Sequence, residues 1–140
     1  MPIGNTNTQI PGCGTHHIAV QTSDWDAALR LYQDVLGMPV IARFGTPERE
    51  IILVDTGDGS HIELFQPTAG PPKTRATSQD DTIFHFALAA TDARAAIERV
   101  RAAGYEVTVE PKDVKLDTLD VTVAFFKGPN GEVIEFFELR

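Results

Sequence analysis

A single cysteine, Cys13, stands in this 140-residue chain. No internal disulfide can form, which suits a reducing compartment. Basic residues are also scarce: 12 Lys and Arg face 20 Asp and Glu, a formal net charge of −8 at pH 7. Such a surface repels nucleic-acid phosphates and anionic lipid headgroups, so neither is expected as a partner. No apolar run nears the roughly 18 residues that a membrane-spanning helix needs. Residues 1–14 lack the basic start and the apolar stretch of a secretion signal. The expected location is therefore cytoplasmic. Cys13 sits in Ile-Pro-Gly-Cys-Gly, a segment expected to be an exposed arm rather than the seat of a nucleophile. What the chain does have is apolar content, 42% of its residues, enough for a packed core and too much for a disordered protein.

The chain also repeats itself. Residues 17–29 (HIAVQTSDWDAAL) lie over residues 85–97 (HFALAATDARAAI) without a gap, and Ile62-Glu63-Leu64-Phe65 lies over Ile134-Glu135-Phe136-Phe137. The offset grows from 68 to 72 residues between the two matches, about one short loop. A duplicated unit follows. In each copy a short alternating strand (residues 15–21 and 83–89) leads into a helix (24–36 and 92–103). Ser23 and Thr91 are expected to cap these helices, with Asp24 and Asp92 at the positive end of each dipole. Gly37 and Gly104 stop them. Three strands follow in each copy: 40–44, 51–55 and 60–66, then 105–109, 121–127 and 132–138. The expected fold is α+β, two tandem βαβββ modules. Residues 1–14 form an arm, 15–66 the first module, 67–81 a linker and 82–140 the second module, the whole making one compact domain.

Alternation along a strand decides which residues share a surface. Phe84, Phe86 and Leu88 form a bulky face that suits a helix, while His85, Ala87 and Ala89 leave space on the other. The first strand repeats this, with His17, Ala19 and Gln21 opposite Ile18 and Val20. In the last strand of each module Glu63 and Glu135 fall on the open face. Two carboxylates in an apolar interior are costly and repel each other. No Lys or Arg of matching parity is expected nearby, since Lys127 closes its strand and Arg140 ends the chain. A divalent cation held by His17, Glu63, His85 and Glu135 resolves the conflict, and zinc, nickel, cobalt, manganese or iron accepts two nitrogens and two oxygens. His16 has the wrong parity for a ligand, and His61 lies about 7 Å from Glu63 along its strand, better placed as wall. Trp25 is expected in packing or an interface.

Three stretches carry a resemblance to a known family: HHIAV with ALRLYQDVLGM, then HIELF, and finally AFFKGPNGEVIEFFE. Over residues 15–140 the chain resembles the vicinal oxygen chelate superfamily, which includes glyoxalase I, methylmalonyl-CoA epimerase, fosfomycin-resistance thiol transferases, extradiol dioxygenases and bleomycin-resistance proteins. The resemblance implies mixed sheets curved around a shared cavity, with His17, Glu63, His85 and Glu135 as metal ligands. Extradiol dioxygenases use two His and one carboxylate, so a fourth ligand at Glu63 points away from them, and bleomycin-resistance proteins generally lack the set. The implied activity is that of a glyoxalase I-like lyase or isomerase, removing a proton next to a carbonyl of a small metal-chelating substrate through an enediolate or enolate. Glu135 and Glu63 are the candidate bases. Glyoxalase I enzymes usually carry Arg and Asn, both contacting glutathione, where this chain has Gln21 and Pro67. A substrate other than the glutathione adduct is therefore expected. Lys112 and Lys115 are expected in a solvated loop rather than as a CoA phosphate clamp. The alternatives are a non-catalytic sequestration protein, a thiol transferase and an epimerase. A homodimer is implied, with the cavity inside one chain or shared between two.

Overall fold

The structure is a computed structural model, and it describes residues 15–68, 85–116 and 118–140 together with Thr6, Thr8 and Gln9. The chain divides into two units, Met1–Gly70 and Pro71–Arg140. The expected arm, Cys13 included, lies outside the described residues apart from Thr6, Thr8 and Gln9, and so does most of the linker expected over 67–81.

In the first unit β1 (His17–Gln21) leads into α1 (Trp25–Leu29), which continues as a π-helical stretch over Arg30–Val35. Three strands follow: β2 (Val40–Thr46), β3 (Arg49–Asp55) and β4 (His61–Phe65). They form a four-stranded sheet in the order β1-β4-β3-β2, parallel between β1 and β4 and antiparallel elsewhere. The second unit repeats the plan with β5 (Phe86–Ala89), α2 (Ala93–Ala102), β6 (Glu106–Leu116), β7 (Leu119–Lys127) and β8 (Val133–Leu139). Its order is β5-β8-β7-β6, again parallel only between first and last strands. Both units are βαβββ, as the duplicated sequence leads one to expect.

Each unit buries the face that the alternation assigns to its core. Ile52, Val54, Ile62 and Leu64 are fully or almost fully buried in the first sheet, as are Ala28, Leu31 and Tyr32 of its helical segment. In the second unit α2 packs on β6, β7 and β8, burying Ala93, Ile97 and Val100 together with Ala124, Phe126 and Ile134. Complete burial of one such side chain contributes about 1.5–3 kcal/mol.

Several local expectations are corrected. The helix caps are the aspartates themselves: Asp24 Oδ1 accepts from the Ala27 N–H at 3.0 Å and Asp92 Oδ1 from the Ala95 N–H at 2.9 Å. Their extended backbone aims the short carboxylate into the first turn, which a Ser or Thr one residue earlier cannot match. Glu138 adds a second anion at α2, its Oε2 accepting from the Ala93 N–H at 2.8 Å. Residues 105–109 were too short an estimate for the sixth strand. It runs to Leu116, and Lys112 and Lys115 pair with Val123 and Asp120 inside a ladder rather than standing in a loop. β3 likewise begins at Arg49, two residues before the expected start. Gly37 and Gly104 take φ values of +69° and +94°, the left-handed stop that favours glycine.

The turn between β3 and β4 is held by one carboxylate. Asp58 Oδ1 accepts from Ser60 Oγ at 2.6 Å, Ser60 N at 2.8 Å and Thr56 Oγ1 at 2.9 Å. These bonds, the Ser60 hydroxyl foremost, lower the Asp58 pKa from 3.8 to about 2. A depressed carboxyl stabilises the fold fully above its unfolded value, and that contribution fades as pH falls through the folded one. Following the Asp58 carboxyl carbon by NMR should give a midpoint near 2, and a midpoint at the ordinary 3.8 would show the turn unbonded in solution. For the helix cap, Asp92→Ala should lower unfolding free energy by about 1 kcal/mol in urea titrations.

Candidate metal and proton-transfer site

The site begins with the parallel strand pair of the second unit. Glu135 on β8 stands opposite Ala87 on β5 and opposite Phe125 on β7. His85 lies just before β5, two residues from Ala87, so alternation brings its imidazole to the same face. The two meet: His85 Nε2 lies 3.0 Å from Glu135 Oε2. The Phe125 ring meets the imidazole edge-on at a centroid distance of 5.3 Å and 80° between planes. Ala87, with only a methyl group, leaves room above Glu135. The Glu135 carboxylate is buried, 7% exposed, and a carboxylate so placed needs a hydrogen-bond or cationic partner.

The first unit builds the same frame and fills it differently. Glu63 on β4 stands opposite Ala19 on β1 and Leu53 on β3, the counterparts of Ala87 and Phe125. It is half-buried, and its side chain makes no hydrogen bond or ion pair with any described residue. His17 pairs in register with His61, not with Glu63. Its Nδ1 lies 2.9 Å from Nδ1 of His16, one of which must carry the proton. His16, expected to be packed or solvent-facing, is exposed, and its ring centroid lies 5.2 Å from His17 and 5.0 Å from His61. His61 is buried, with Nδ1 3.1 Å from the His16 carbonyl oxygen. Of the four expected ligands, the structure thus joins His85 to Glu135 directly. It sets His17 and Glu63 on neighbouring parallel strands without a bond between them.

The donor chemistry fits a divalent cation. Two donors each about 2.1 Å from one ion and at right angles to it lie about 3.0 Å apart, which is the His85–Glu135 separation. In the first unit, taken by itself, the half-buried Glu63 carboxylate has no partner among the described residues. Within neither unit, among the described residues, do three or more His, Cys, Asp or Glu gather as a metal site, so each offers a pair at most.

One residue on this face escaped the sequence reading. Arg49 opens β3 and has the parity of Ile51 and Leu53, hence that of Glu63. Its guanidinium carbon sits 5.1 Å from the centroid of the Phe65 ring, and its Nε donates to the Gln66 carbonyl at 3.1 Å. No Lys or Arg of matching parity was expected near the glutamates; Arg49 has that parity but makes no ion pair with Glu63. The alternation of β3 includes Arg49 once the strand extends two residues before Ile51.

Comparison with known proteins bears on the family and the fold. The sequence model of the Glyoxalase/Bleomycin resistance protein/Dioxygenase superfamily matches residues 14–136. A lactoylglutathione lyase of Haemophilus influenzae is 33% identical over 127 residues, covering 87% of this chain and 90% of that protein. A lactoylglutathione lyase of Neisseria meningitidis is 30% identical over 126 residues, covering 89% of each. Among solved structures, a glyoxalase family protein from Enterococcus faecalis matches with a TM-score of 0.72 at 22% identity, over 89% of this chain and 97% of its own. A glyoxylase/bleomycin resistance protein/dioxygenase domain from Frankia gives 0.75 at 16% identity, over 91% and 98%. At those identities the structural matches speak for the fold.

Proposed function

Because the chain belongs to the glyoxalase/bleomycin resistance/dioxygenase superfamily, we propose that it is a divalent-metal-dependent, glyoxalase I-like lyase or isomerase. The observation that carries this reading is the buried Glu135 carboxylate held 3.0 Å from His85 Nε2 on the open face of its sheet. The naming of its relatives as lactoylglutathione lyases supports it. His17, Glu63, His85 and Glu135 would hold the cation, two residues from each module, within one chain or across a homodimer.

A cation there, whether zinc, nickel, cobalt, manganese or iron, supplies Lewis-acid stabilisation of the negative charge that develops on a substrate oxygen. The chain's own groups do the rest. A carboxylate oxygen of Glu63 or Glu135 takes the proton next to the carbonyl and returns it to the neighbouring carbon, passing through an enediolate or enolate. Glu63 has no competing partner among the described residues, so its oxygens are open to a proton. Glu135 is held by His85, which fixes its position. The small side chains of Ala19 and Ala87 leave substrate space beside them. Gln21 and Pro67 stand where glyoxalase I enzymes usually bind glutathione through Arg and Asn, which favours a substrate other than the glutathione adduct.

Solvent deuterium exchange into the thiohemiacetals of methylglyoxal with glutathione and with simpler thiols, and into α-hydroxycarbonyl compounds, is expected once a divalent cation is added. Glu63→Gln or Glu135→Gln should slow it by about 10²-fold or more. Tight ligand binding without exchange under any of the five metals would leave a sequestration protein instead. Independently, His85→Ala and Glu135→Gln should each remove most of the metal found by elemental analysis, and a normal content in either would overturn the ligand set.

A further inference from the structure

The open face of the first sheet carries a charge gradient that the proton-transfer reading does not use. At one end stand His61 and Glu63. Leu53, Ile51, Phe65 and Phe44 form an apolar strip beyond them, Ile51 pairing with Phe65 on one side and Phe44 on the other. At the far end the Arg49 guanidinium lies over the Phe65 ring. Phe44 is 46% exposed, so the strip is accessible from solvent.

Arg49 is held and yet unspent. Its Nε is committed to the Gln66 carbonyl, and the ring beneath it adds a cation–π contact. Among the described residues its two Nη amines have no hydrogen bond and no ion pair. Other arginines of the chain differ. Arg43, whose position alternates to the other face, is paired to Glu50 at 2.6 Å. Arg94 is paired to Asp113 and Arg101 to Glu110. In a chain of net charge −8, an arginine with a fixed stem and an open end-on fork has the geometry that recognises a carboxylate bidentately.

We propose that Arg49 is the anion-recognising, specificity-determining residue of this face, and that it seats the carboxylate of a substrate whose reacting carbon lies by Glu63. This rests on the proton-transfer reading and narrows it to carboxylate-bearing compounds. Phe65, beneath the guanidinium, is two residues from Glu63, about 7 Å along the strand. The ligand therefore carries its anion roughly 7 Å from the reacting group, with an apolar spacer laid along Phe65 and Ile51.

The test compares two non-reacting probes, benzohydroxamate and 4-carboxybenzohydroxamate, which differ only by a carboxylate across an aromatic spacer. Affinities are measured calorimetrically on the zinc-supplemented full chain, so no turnover is needed. The carboxylate should tighten binding to the unaltered chain about tenfold or more. Arg49→Gln should erase that preference, and Arg49→Lys should restore part of it, since it keeps the charge and loses the fork. Arg43→Gln removes an equal charge from the opposite face and should leave the preference intact. Equal affinity of the two probes, no binding of the carboxylate probe, or an equal loss in Arg43→Gln would overturn the assignment. Failure of deuterium exchange with the preference still present would overturn the reaction and leave the anion seat standing.

Discussion

The parallel pairing of first and last strands within each module is the constraint on which the site depends. Register sets Ala19 against Glu63 and Ala87 against Glu135. A shift of one residue would send both carboxylates to the opposite, helix-bearing side and their apolar neighbours to the open one. Parallel strands need a crossover connection, and each module supplies it with a helical segment and two further strands. The same connection buries Ile62 and Leu64, or Ile134 and Phe136, beneath the sheet. Packing of the core thus fixes the placement of the acids, and the acids did not have to be positioned separately.

Duplication has left the frame equal and its contents unequal. One module satisfies its buried acid internally, His85 donating toward Glu135 beside the Phe125 ring. The other turns its histidine toward His16 and leaves Glu63 without a described partner. It also carries Arg49 on this face, where the second module has no arginine at the matching place in its β7. The net negative charge of the chain makes an arginine with no ion pair among the described residues the more informative one.

Most of the architecture was legible in the alternation of short strands and in the repeat. His85, Ala87 and Glu135 share a face as the parity of their strands requires, and Gly37 and Gly104 end the helices where expected. Strand lengths were less legible. β6 looks polar from Glu110 to Lys115, yet it is carried by pairing to β7, a long-range contact that local pattern does not encode. The same blindness shortened β3 and hid Arg49. The caps went to Asp24 and Asp92 rather than Ser23 and Thr91 because backbone direction, invisible in composition, decides which side chain reaches the first turn. How His17 orients could not be read either, since the choice between His16 and Glu63 lies in rotamers, not in spacing.

The helical segment of the first module records a small accident of length. From cap to stop it runs 37 − 24 = 13 residues, against 104 − 92 = 12 in the second. The surplus is absorbed where Leu36 N–H bonds the Leu31 carbonyl five residues back, the wider loop of the π stretch. An inserted residue has been swallowed as a local blister, so the chain downstream enters its sheet in step with its sister copy. Excision of one position inside that blister is therefore the kind of deletion this protein is built to survive, whereas the taut helix of the other half has no such slack to give up.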